Sequence, residues 1–385
     1  MRGLPHECGM TTKRFPSGCA LVLVMLLPSV LGAQQRLEID HSSGREIVND
    51  WTYGFREFVA VDRDRGLVYV VDASDPLAVM AFAVADGTLV GTFGGGEGEG
   101  PGELRVMVAA SAAADGVLVW DYQRVNHWGS DGDLVVVWSP RVPGVTDVCA
   151  LGDHMVVPLP GGALARTPQG REIVLGEGRT GHELMWDGRS PPEQQAAEFM
   201  ATQAVCMSDW VYVLSGDRLV GYSLSGARKE VALPMELLEA GERRGSRPYT
   251  LFSDGAGSVV VAMWRSPLAA AVIDPETGCH SILVDPKPAT SHRLATIYKD
   301  SALVLESPPV PKMINGKPTR VVHAGESSVI SLRPLVPTGG APCGSATSQE
   351  LSRVEHHAYA EDDRTARRRT TRSAIRTGSD ENREK

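Results

Sequence analysis

The sequence predicts an all-β protein, a six-bladed β-propeller built from four-stranded antiparallel blades. Three observations support this prediction. One stretch contains a complete four-stranded meander, the same spacing of apolar runs recurs along the chain, and segments with helical periodicity are nearly absent, the clearest being residues 192–200. Because a propeller is one long domain, the 385 residues do not require two folded domains.

The clearest meander follows a glycine-rich loop at residues 94–104. Asp115-Gly116 and Asp131-Gly132 separate runs of β-branched and aromatic residues, and such pairs between such runs are typical of tight β-hairpin turns. Four strands in about 35 residues have the size of one propeller blade. The four runs are residues 106–114, 117–120, 125–128 and 134–138.

The same pattern recurs along the chain. Runs that correspond to the second strand of a blade are spaced by roughly 36 to 57 residues, close to the repeat length of known propeller blades. Six such units predict a ring of six blades. The runs are residues 67–71, 117–120, 154–157, 210–214, 259–264 and 303–305.

The ring must close, because an open sheet edge promotes aggregation. Residues 36–39 or 45–48 would supply the outermost strand of the last blade from the other end of the chain. Alternatively, residues 319–323 and 329–332 would complete that blade without help. The sequence leaves both possibilities open.

The amino-terminal residues have the features of a secretory signal peptide. Lys13 and Arg14 precede an apolar run at residues 20–27, Pro28 ends the run, and small residues lead to a cleavage site after Ala33. The run is too short to span a bilayer. We therefore expect residues 1–33 to be removed, leaving a periplasmic or secreted protein without a transmembrane anchor.

Export permits disulfide bonds, and four cysteines remain after cleavage: Cys149, Cys206, Cys279 and Cys343. Cys149 and Cys206 fall at similar positions in the innermost strands of neighbouring blades, so they are candidates for a disulfide. The alternative is two buried thiols, since free cysteine is often buried. A Cys279–Cys343 bond would attach the end of the chain to the fifth blade.

We assign residues 34–337 to the propeller and residues 338–385 to a polar, charged tail whose composition predicts disorder. The tail contains almost no core-forming residues. Residues 34–350 hold 26 basic and 39 acidic side chains, a net charge of −13. Such an acidic body disfavours nucleic acid as a partner.

The sequence around the clearest meander resembles a known repeat. Residues 100–104 (GPGEL) precede a strand, Asp115-Gly116, residues 117–121 (VLVWD) and Arg124. This order is similar to the NHL-type repeat of secreted bacterial six-bladed propellers. The resemblance is good over this blade, partial in the first blade and weak beyond residue 145.

The order of strands predicts which face of the ring binds ligands. Loops between second and third strands and connections between blades emerge on one face, and they are longer and chemically richer than the Asp-Gly turns opposite. Loops on a rigid scaffold often carry binding residues. The candidate binding side chains are Asp72, Asp121, Arg124, His182, Trp186, Trp264 and Arg265.

Each candidate also has a structural explanation. Asp72 and Asp121 end strands, where an aspartate commonly accepts hydrogen bonds from nearby backbone N–H groups, and Arg124 would pair with such an aspartate. Trp264 would pack between blades. His182 and Trp186 lie in a long insertion that is either a lid or a surface loop.

Catalytic signatures are weak. The 94–100 glycine run carries two acids and lacks the Lys-Ser or Lys-Thr of a phosphate-binding loop. The innermost strands offer mainly small or apolar residues, with Asp147 as a lone acid, which disfavours a catalytic metal and leaves calcium as a secondary possibility.

We therefore predict an exported, monomeric binding or scaffold module without a cofactor. Its loop-rich face would bind a protein, a peptide or a glycan. Two alternatives remain: a calcium-dependent propeller enzyme of lactonase or lyase type, and a structural part of an envelope assembly.

Overall fold

The computed structural model describes most of the chain between residues 35 and 340. The predicted signal peptide, the predicted helix at residues 192–200 and the chain beyond residue 340 lie outside the described residues. The described ranges are residues 35–50, 53–73, 76–105, 107–121, 124–140, 142, 147–159, 161–176, 203–244, 250–263, 268–286, 292–306, 313–314, 317–318 and 328–340.

The described chain is mostly β-strand, as the sequence predicts. It begins with β1 (Gln35–Ile39) and β2 (Arg45–Asn49) and continues into four separate four-stranded antiparallel sheets, which we call blades 1 to 4. Blade 1 contains β3 (Phe55–Asp62), β4 (Leu67–Asp72), β5 (Ala78–Ala83) and β6 (Leu89–Phe93); blade 2 contains β7 (Met107–Ala113), β8 (Gly116–Asp121), β9 (Arg124–Gly129) and β10 (Leu134–Trp138); blade 3 contains β11 (Cys149–Leu151), β12 (His154–Leu159), β13 (Gly162–Arg166) and β14 (Glu172–Gly176); blade 4 contains β15 (Ala204–Met207), β16 (Trp210–Ser215), β17 (Arg218–Ser223) and β18 (Arg228–Ala232).

The helix α1 (Met235–Arg244) follows blade 4, and the later strands belong mainly to one nine-stranded sheet. This sheet also includes β1 and β2. Its other strands are β19 (Thr250–Ser253), β20 (Val259–Ala262), β21 (Leu268–Ile273), β22 (His280–Val284), β23 (His292–Tyr298), β24 (Ser301–Glu306) and β27 (Val329–Gly339), while β25 (Met313–Ile314) and β26 (Lys317–Pro318) form a separate hairpin.

Blade 2 illustrates how the sequence produces these sheets. Every residue of β8 is buried, because a neighbouring sheet covers each face of this strand, and its sequence is accordingly a nearly continuous apolar run. Alternation returns in the outermost strand β10, where Val135 and Val137 are exposed and Trp138 is buried. Gly132 turns the chain between β9 and β10 with a φ of 90°, which glycine adopts without strain.

The hydrophobic core lies between neighbouring sheets. Val117 and Val119 of β8 pack toward Tyr69 of blade 1, whereas Leu118 and Trp120 pack toward blade 3. Each fully buried side chain of this kind contributes about 1.5–3 kcal/mol to folding. The sheets are therefore held face to face by interdigitated apolar layers.

The helix α1 is absent from the sequence prediction. Leu237 is completely buried and Ala240 nearly so, and both pack into the apolar layer between blade 4 and the strands β19 to β21. Within the described ranges, no helix combines the length and the apolar character needed to cross a membrane.

The first strands of the successive meanders form the inner wall of the fold. They contact one another in a closed cycle that runs from β3 through β7, β11, β15, β19 and β23 and returns to β3. Radially arranged antiparallel sheets around a closed inner wall are the architecture of a propeller. The protein is an all-β propeller with four-stranded antiparallel blades.

The amino-terminal strands complete the nine-stranded sheet. β2 pairs antiparallel with the first part of β27, placing Arg45 opposite Leu332, and β1 pairs with the second part of β27 and, in parallel, with β22. Both amino-terminal segments that were candidates for closing the ring therefore pair with strands of this sheet. Residues 319–323, part of the alternative, lie outside the described residues. β27 continues to Gly339, past the predicted domain boundary at residue 337.

Candidate functional site

Two surfaces are candidates for binding: one end of the ring and the cavity along its axis. Because strands alternate in direction, the β4–β5 and β8–β9 loops and the β6–β7 connection emerge on the same side. We call this side, formed by Asp72, Asp121, Arg124 and the 94–105 loop, the loop-rich face. The hairpin turns between first and second strands form the opposite turn face.

Asp121 and Arg124 act together to hold the 94–105 loop. Asp121 is 2% exposed. Its Oδ1 accepts a hydrogen bond from the backbone N–H of Arg105 at 2.9 Å, and its Oδ2 accepts one from Nε of Arg124 at 2.9 Å. The other guanidinium nitrogens of Arg124 donate to the carbonyl oxygens of Glu99 and Glu103, each at 2.7 Å. This partly buried ion pair therefore links the end of β8 to both halves of the loop.

The 94–105 loop also bonds to itself. The N–H of Gly95 donates to the carbonyl oxygen of Gly102 at 2.6 Å. The N–H of Leu104 donates to the carbonyl oxygen of Gly96 at 2.8 Å. Leu104 is fully buried between blades 1 and 2. A Cβ on Gly94 would lie 2.5 Å from the Leu104 side chain, so the loop needs glycine for close packing as well as for its φ of 108°. The glycine run is thus a compact folded connection.

Asp72 has a role in blade 1 that parallels that of Asp121 in blade 2. It is 6% exposed, and its Oδ1 accepts a hydrogen bond from the N–H of Gly54 at 2.8 Å, immediately before the innermost strand. Each aspartate therefore fixes the chain that enters its blade. These contacts give Asp72, Asp121 and Arg124 structural roles, and their participation in binding stays a prediction. His182, Trp186, Trp264 and Arg265 lie outside the described residues.

A cavity of about 420 Å³ follows the axis of the ring. All strands of the closed inner wall contribute to it, and small side chains dominate the wall between its two ends. Those small side chains are Ala60, Ala109, Ala110, Ser111, Ala112, Ala113, Ala150 and Ala204.

Asp147 lines the cavity at its loop-rich end, two residues before β11. The carboxylate accepts hydrogen bonds from the N–H groups of Val148 at 2.9 Å and Ala204 at 3.2 Å. Desolvation raises the pKa of the Asp147 carboxyl to about 7, although the two backbone donors oppose the increase. Among the described residues, no lysine, arginine or histidine forms an ion pair with it.

Gln203 lies at the same end, directly before β15. Its Oε1 accepts a hydrogen bond from the N–H of Leu251 at 2.9 Å, so the orientation of the side-chain amide is fixed. The Nε2 group donates no hydrogen bond to the described residues. The loop-rich end of the cavity therefore has a carboxylate acceptor and an amide donor that precede neighbouring innermost strands.

Arg63 lies at the turn-face end of the cavity. It follows β3, yet Nη2 donates to the carbonyl oxygens of Ser253 at 2.8 Å and Ile297 at 2.5 Å, in β19 and β23. Nε donates to the carbonyl of Asp254 at 3.2 Å. A Cβ on Gly255 would lie 1.8 Å from this guanidinium, so only glycine leaves room for it. Arg63 thus joins three parts of the inner wall at one end of the cavity.

A disulfide forms part of the cavity wall. Cys149 in β11 and Cys206 in β15 are bonded, which confirms the pairing that their positions suggested. Cys279 is disulfide-bonded as well, and Cys343, the partner that we predicted for it, lies outside the described residues.

The sequence identified Asp147 only as a lone acid and missed Arg63 and Gln203. Arg63 follows an innermost strand and Gln203 precedes one, so their positions in the sequence weakly indicate a place at the ends of the cavity. The sequence does not indicate which distant residues they contact. Among the described residues, no group of three or more histidine, cysteine, aspartate or glutamate side chains is arranged to hold a metal ion.

No protein-family model matches the chain, and no curated protein is similar to it in sequence. Virginiamycin B lyase from Staphylococcus aureus is similar in structure, with 12% identity, coverage of 79% of this chain and 100% of the lyase, and a TM-score of 0.45. A gluconolactonase from Xanthomonas campestris has 10% identity, 79% and 95% coverage, and a TM-score of 0.43. BamB from Moraxella catarrhalis has 12% identity, 72% and 81% coverage, and a TM-score of 0.34. Because these scores are low, the fold assignment depends on the strand pairing of this chain.

Proposed function

We propose that this protein is a propeller-based binding module that presents its loop-rich face to a protein, a peptide or a glycan. The main support is the 94–105 loop, whose conformation is fixed by Arg124, Asp121 and its own backbone hydrogen bonds. A loop ordered in advance loses little conformational entropy when a partner binds. Fixed loops on a rigid scaffold are therefore suited to recognition.

The chemistry of the loop indicates how it would contact a partner. Glu99 and Arg105 form an ion pair at 2.5 Å, with 70% and 52% of their side chains exposed. Exposed charges of both signs beside a buried anchor resemble the polar rim of a protein interface. A partner with complementary charged or hydroxyl groups would suit this surface.

We also infer that the complete ring has six blades and belongs to the NHL-like type. In this interpretation the nine-stranded sheet comprises two blades: β19 to β22, and β23, β24 and β27 with β2 as the outermost strand. The closed cycle of innermost strands supports this count.

We propose that the mature protein is a monomer in the periplasm or outside the cell. The amino-terminal sequence pattern supports export. The Cys149–Cys206 disulfide is consistent with an oxidising compartment. Detection of the protein in periplasmic or culture-medium fractions, with a new amino terminus at residue 34, would support this proposal, whereas retention of the full chain in the cytoplasm would contradict it.

The binding proposal can be tested with a peptide display library and a glycan array. The loop-face variant is Glu97→Arg with Glu99→Arg, and the matched turn-face control is Asp153→Arg with Asp209→Arg, which changes the net charge equally. We expect ligands selected on the wild-type protein to lose at least tenfold in affinity for the loop-face variant and less than twofold for the control. Equal losses in both variants, or no ligand from either library, would contradict the proposal.

Calcium dependence distinguishes the binding module from the enzyme alternative. We propose that ligand capture needs no metal, so chelation with EDTA should leave the affinity unchanged. Loss of capture in EDTA and its recovery with calcium would instead favour a calcium-dependent protein.

A further inference from the structure

The axial cavity has the size and the polarity of a site for a small ligand. Its volume of about 420 Å³ lies within the usual range for ligand pockets. Alanine and serine side chains form much of the middle of its wall, beside bulkier ones such as Val59, Val205 and Phe252, and leave room for a compact carbon body. The polar groups are concentrated at its two ends.

The two ends differ in what they offer to a ligand. At the turn-face end, the charge of Arg63 is already satisfied in part by the carbonyl groups of Ser253, Asp254 and Ile297. At the loop-rich end, the Asp147 carboxylate has accepted only two backbone hydrogen bonds. A carboxylate has about four acceptor positions. Acceptor capacity therefore remains at the loop-rich end.

The electrostatic environment of Asp147 favours a cationic ligand. The protein desolvates the Asp147 carboxylate, which keeps some exposure to the cavity and accepts hydrogen bonds from two backbone N–H groups. An ionised group in such a place is unfavourable unless an opposite charge and hydrogen bonds compensate for the lost water. An ammonium group supplies both.

Gln203 adds a second requirement. Because its Oε1 is bonded to the N–H of Leu251, its amide presents Nε2 as a donor. A bare metal ion would meet one carboxylate and one repelling amide N–H, whereas calcium prefers six to eight oxygen ligands. A ligand with both an ammonium group and a hydroxyl or carbonyl oxygen matches the two groups.

We propose that the axial cavity binds a compact amino alcohol or related organic cation, whose ammonium group donates to Asp147 and whose oxygen accepts from Gln203. The carbon body lies along the alanine wall. This site is separate from the loop-rich face, so a partner protein, peptide or glycan is not required for it.

The test compares two small molecules that differ in one group. The probes are 2-amino-1-pentanol, which is cationic and carries its two polar groups on adjacent carbons, and 1,2-pentanediol, its neutral counterpart. Binding is measured by ligand-observed NMR and calorimetry on the full mature chain at pH 8, where Asp147 is ionised. We expect the amino alcohol to bind in the millimolar range or better and at least tenfold more tightly than the diol.

Two variants locate the site. Asp147→Asn should weaken amino-alcohol binding at least tenfold, whereas Asp64→Asn, at the exposed turn-face end, should change it less than twofold. Ala110→Leu should also abolish binding because it fills the cavity. Circular dichroism establishes that each variant is folded, and the comparison of the two probes on the wild-type chain needs no variant.

Three outcomes would overturn the proposal. They are equal binding of the diol and the amino alcohol, the absence of a millimolar complex with either, and unchanged binding in a folded Asp147→Asn variant. Each can occur whether or not the loop-rich face binds its own partner, so the two proposals fail independently.

Discussion

Cys149 and Cys206 form a disulfide between the innermost strands of blades 3 and 4, with their Cα atoms 5.6 Å apart. These strands do not form a common sheet, so the bond links two blades that otherwise meet through side-chain packing and hydrogen bonds, such as that from the Tyr222 hydroxyl to the carbonyl of Gly161. The cross-link spans 57 residues of sequence, including the long insertion after β14. It therefore restricts the unfolded chain strongly.

We expect Cys149→Ala with Cys206→Ala to lower the free energy of unfolding by about 2–4 kcal/mol, because closing a loop of this length removes much conformational entropy from the unfolded chain. Chemical denaturation of the oxidised wild-type protein and the double variant measures the difference. Wild-type protein and variant should unfold alike when both are fully reduced, since the reductant also cleaves the bond of Cys279 in each. A difference below about 0.5 kcal/mol would show that the packing between the blades suffices.

The sequence predicts most of the blades because each blade is local. In blade 2, the Asp-Gly turns and apolar runs determine strand pairing between neighbours in the chain, as Ala113 opposite Gly116 illustrates. The partners of β1 and β2 lie far away in the sequence, at β22 and β27. Local patterns do not specify such long-range pairing, so the sequence left the closure of the ring open.

Arg63 should contribute strongly to stability. Replacing it with methionine keeps most of its length but removes charged hydrogen bonds to three carbonyl oxygens in two strands of the inner wall and the turn after one of them. We expect Arg63→Met to lower the free energy of unfolding by about 2–4 kcal/mol. Thermal and urea denaturation measure this loss.

The matched control for that change is Arg171→Met. The Arg171 side chain is exposed on the turn before β14, and its replacement should alter stability by less than about 0.5 kcal/mol. If both variants unfolded at the same denaturant concentration, the hydrogen bonds made by Arg63 would contribute little to the free energy of unfolding.

The loop-rich face shows why sequence alone assigns a site poorly. Asp121 and Arg124 are charged residues beside a loop, and charged loop residues are typical of binding sites. In the structure they bond to each other and to the 94–105 loop, so most of their polar capacity is used within the protein. The exposed Glu99 and Arg105 were not among the candidates, because the sequence does not reveal which charges a loop buries.

Arg124 should control the order of the 94–105 loop. In Arg124→Gln the carbonyl oxygens of Glu99 and Glu103 lose their guanidinium donors, and Asp121 loses its cation. We expect amide hydrogen exchange at Gly98 and Leu104 to become at least tenfold faster, with a loss of about 2–4 kcal/mol in stability. Arg218→Gln, which breaks exposed ion pairs in blade 4, is the control and should leave loop exchange unchanged.

Asp147 should make the protein less stable as the pH rises. Its folded pKa of about 7 exceeds the ordinary value of 3.8, so between these values the folded chain binds more protons than the unfolded chain. The contribution of this carboxyl to the free energy of unfolding is fully present below pH 3.8 and is lost as the pH rises through 7. The difference between these pKa values corresponds to at most about 4 kcal/mol, because Asp147 keeps some exposure to the cavity.

Asp147→Asn removes that dependence, because the amide stays neutral. The loss of one acceptor oxygen costs about 1 kcal/mol, so the variant should be more stable than the wild-type protein at pH 8, by at most about 3 kcal/mol, and slightly less stable at pH 4. Urea denaturation at both pH values measures this crossover, with Asp64→Asn as the control. A constant difference in stability between wild type and variant across this range would show that Asp147 titrates normally. The carboxylate would then be well solvated, and the argument for a cation in the cavity would be lost.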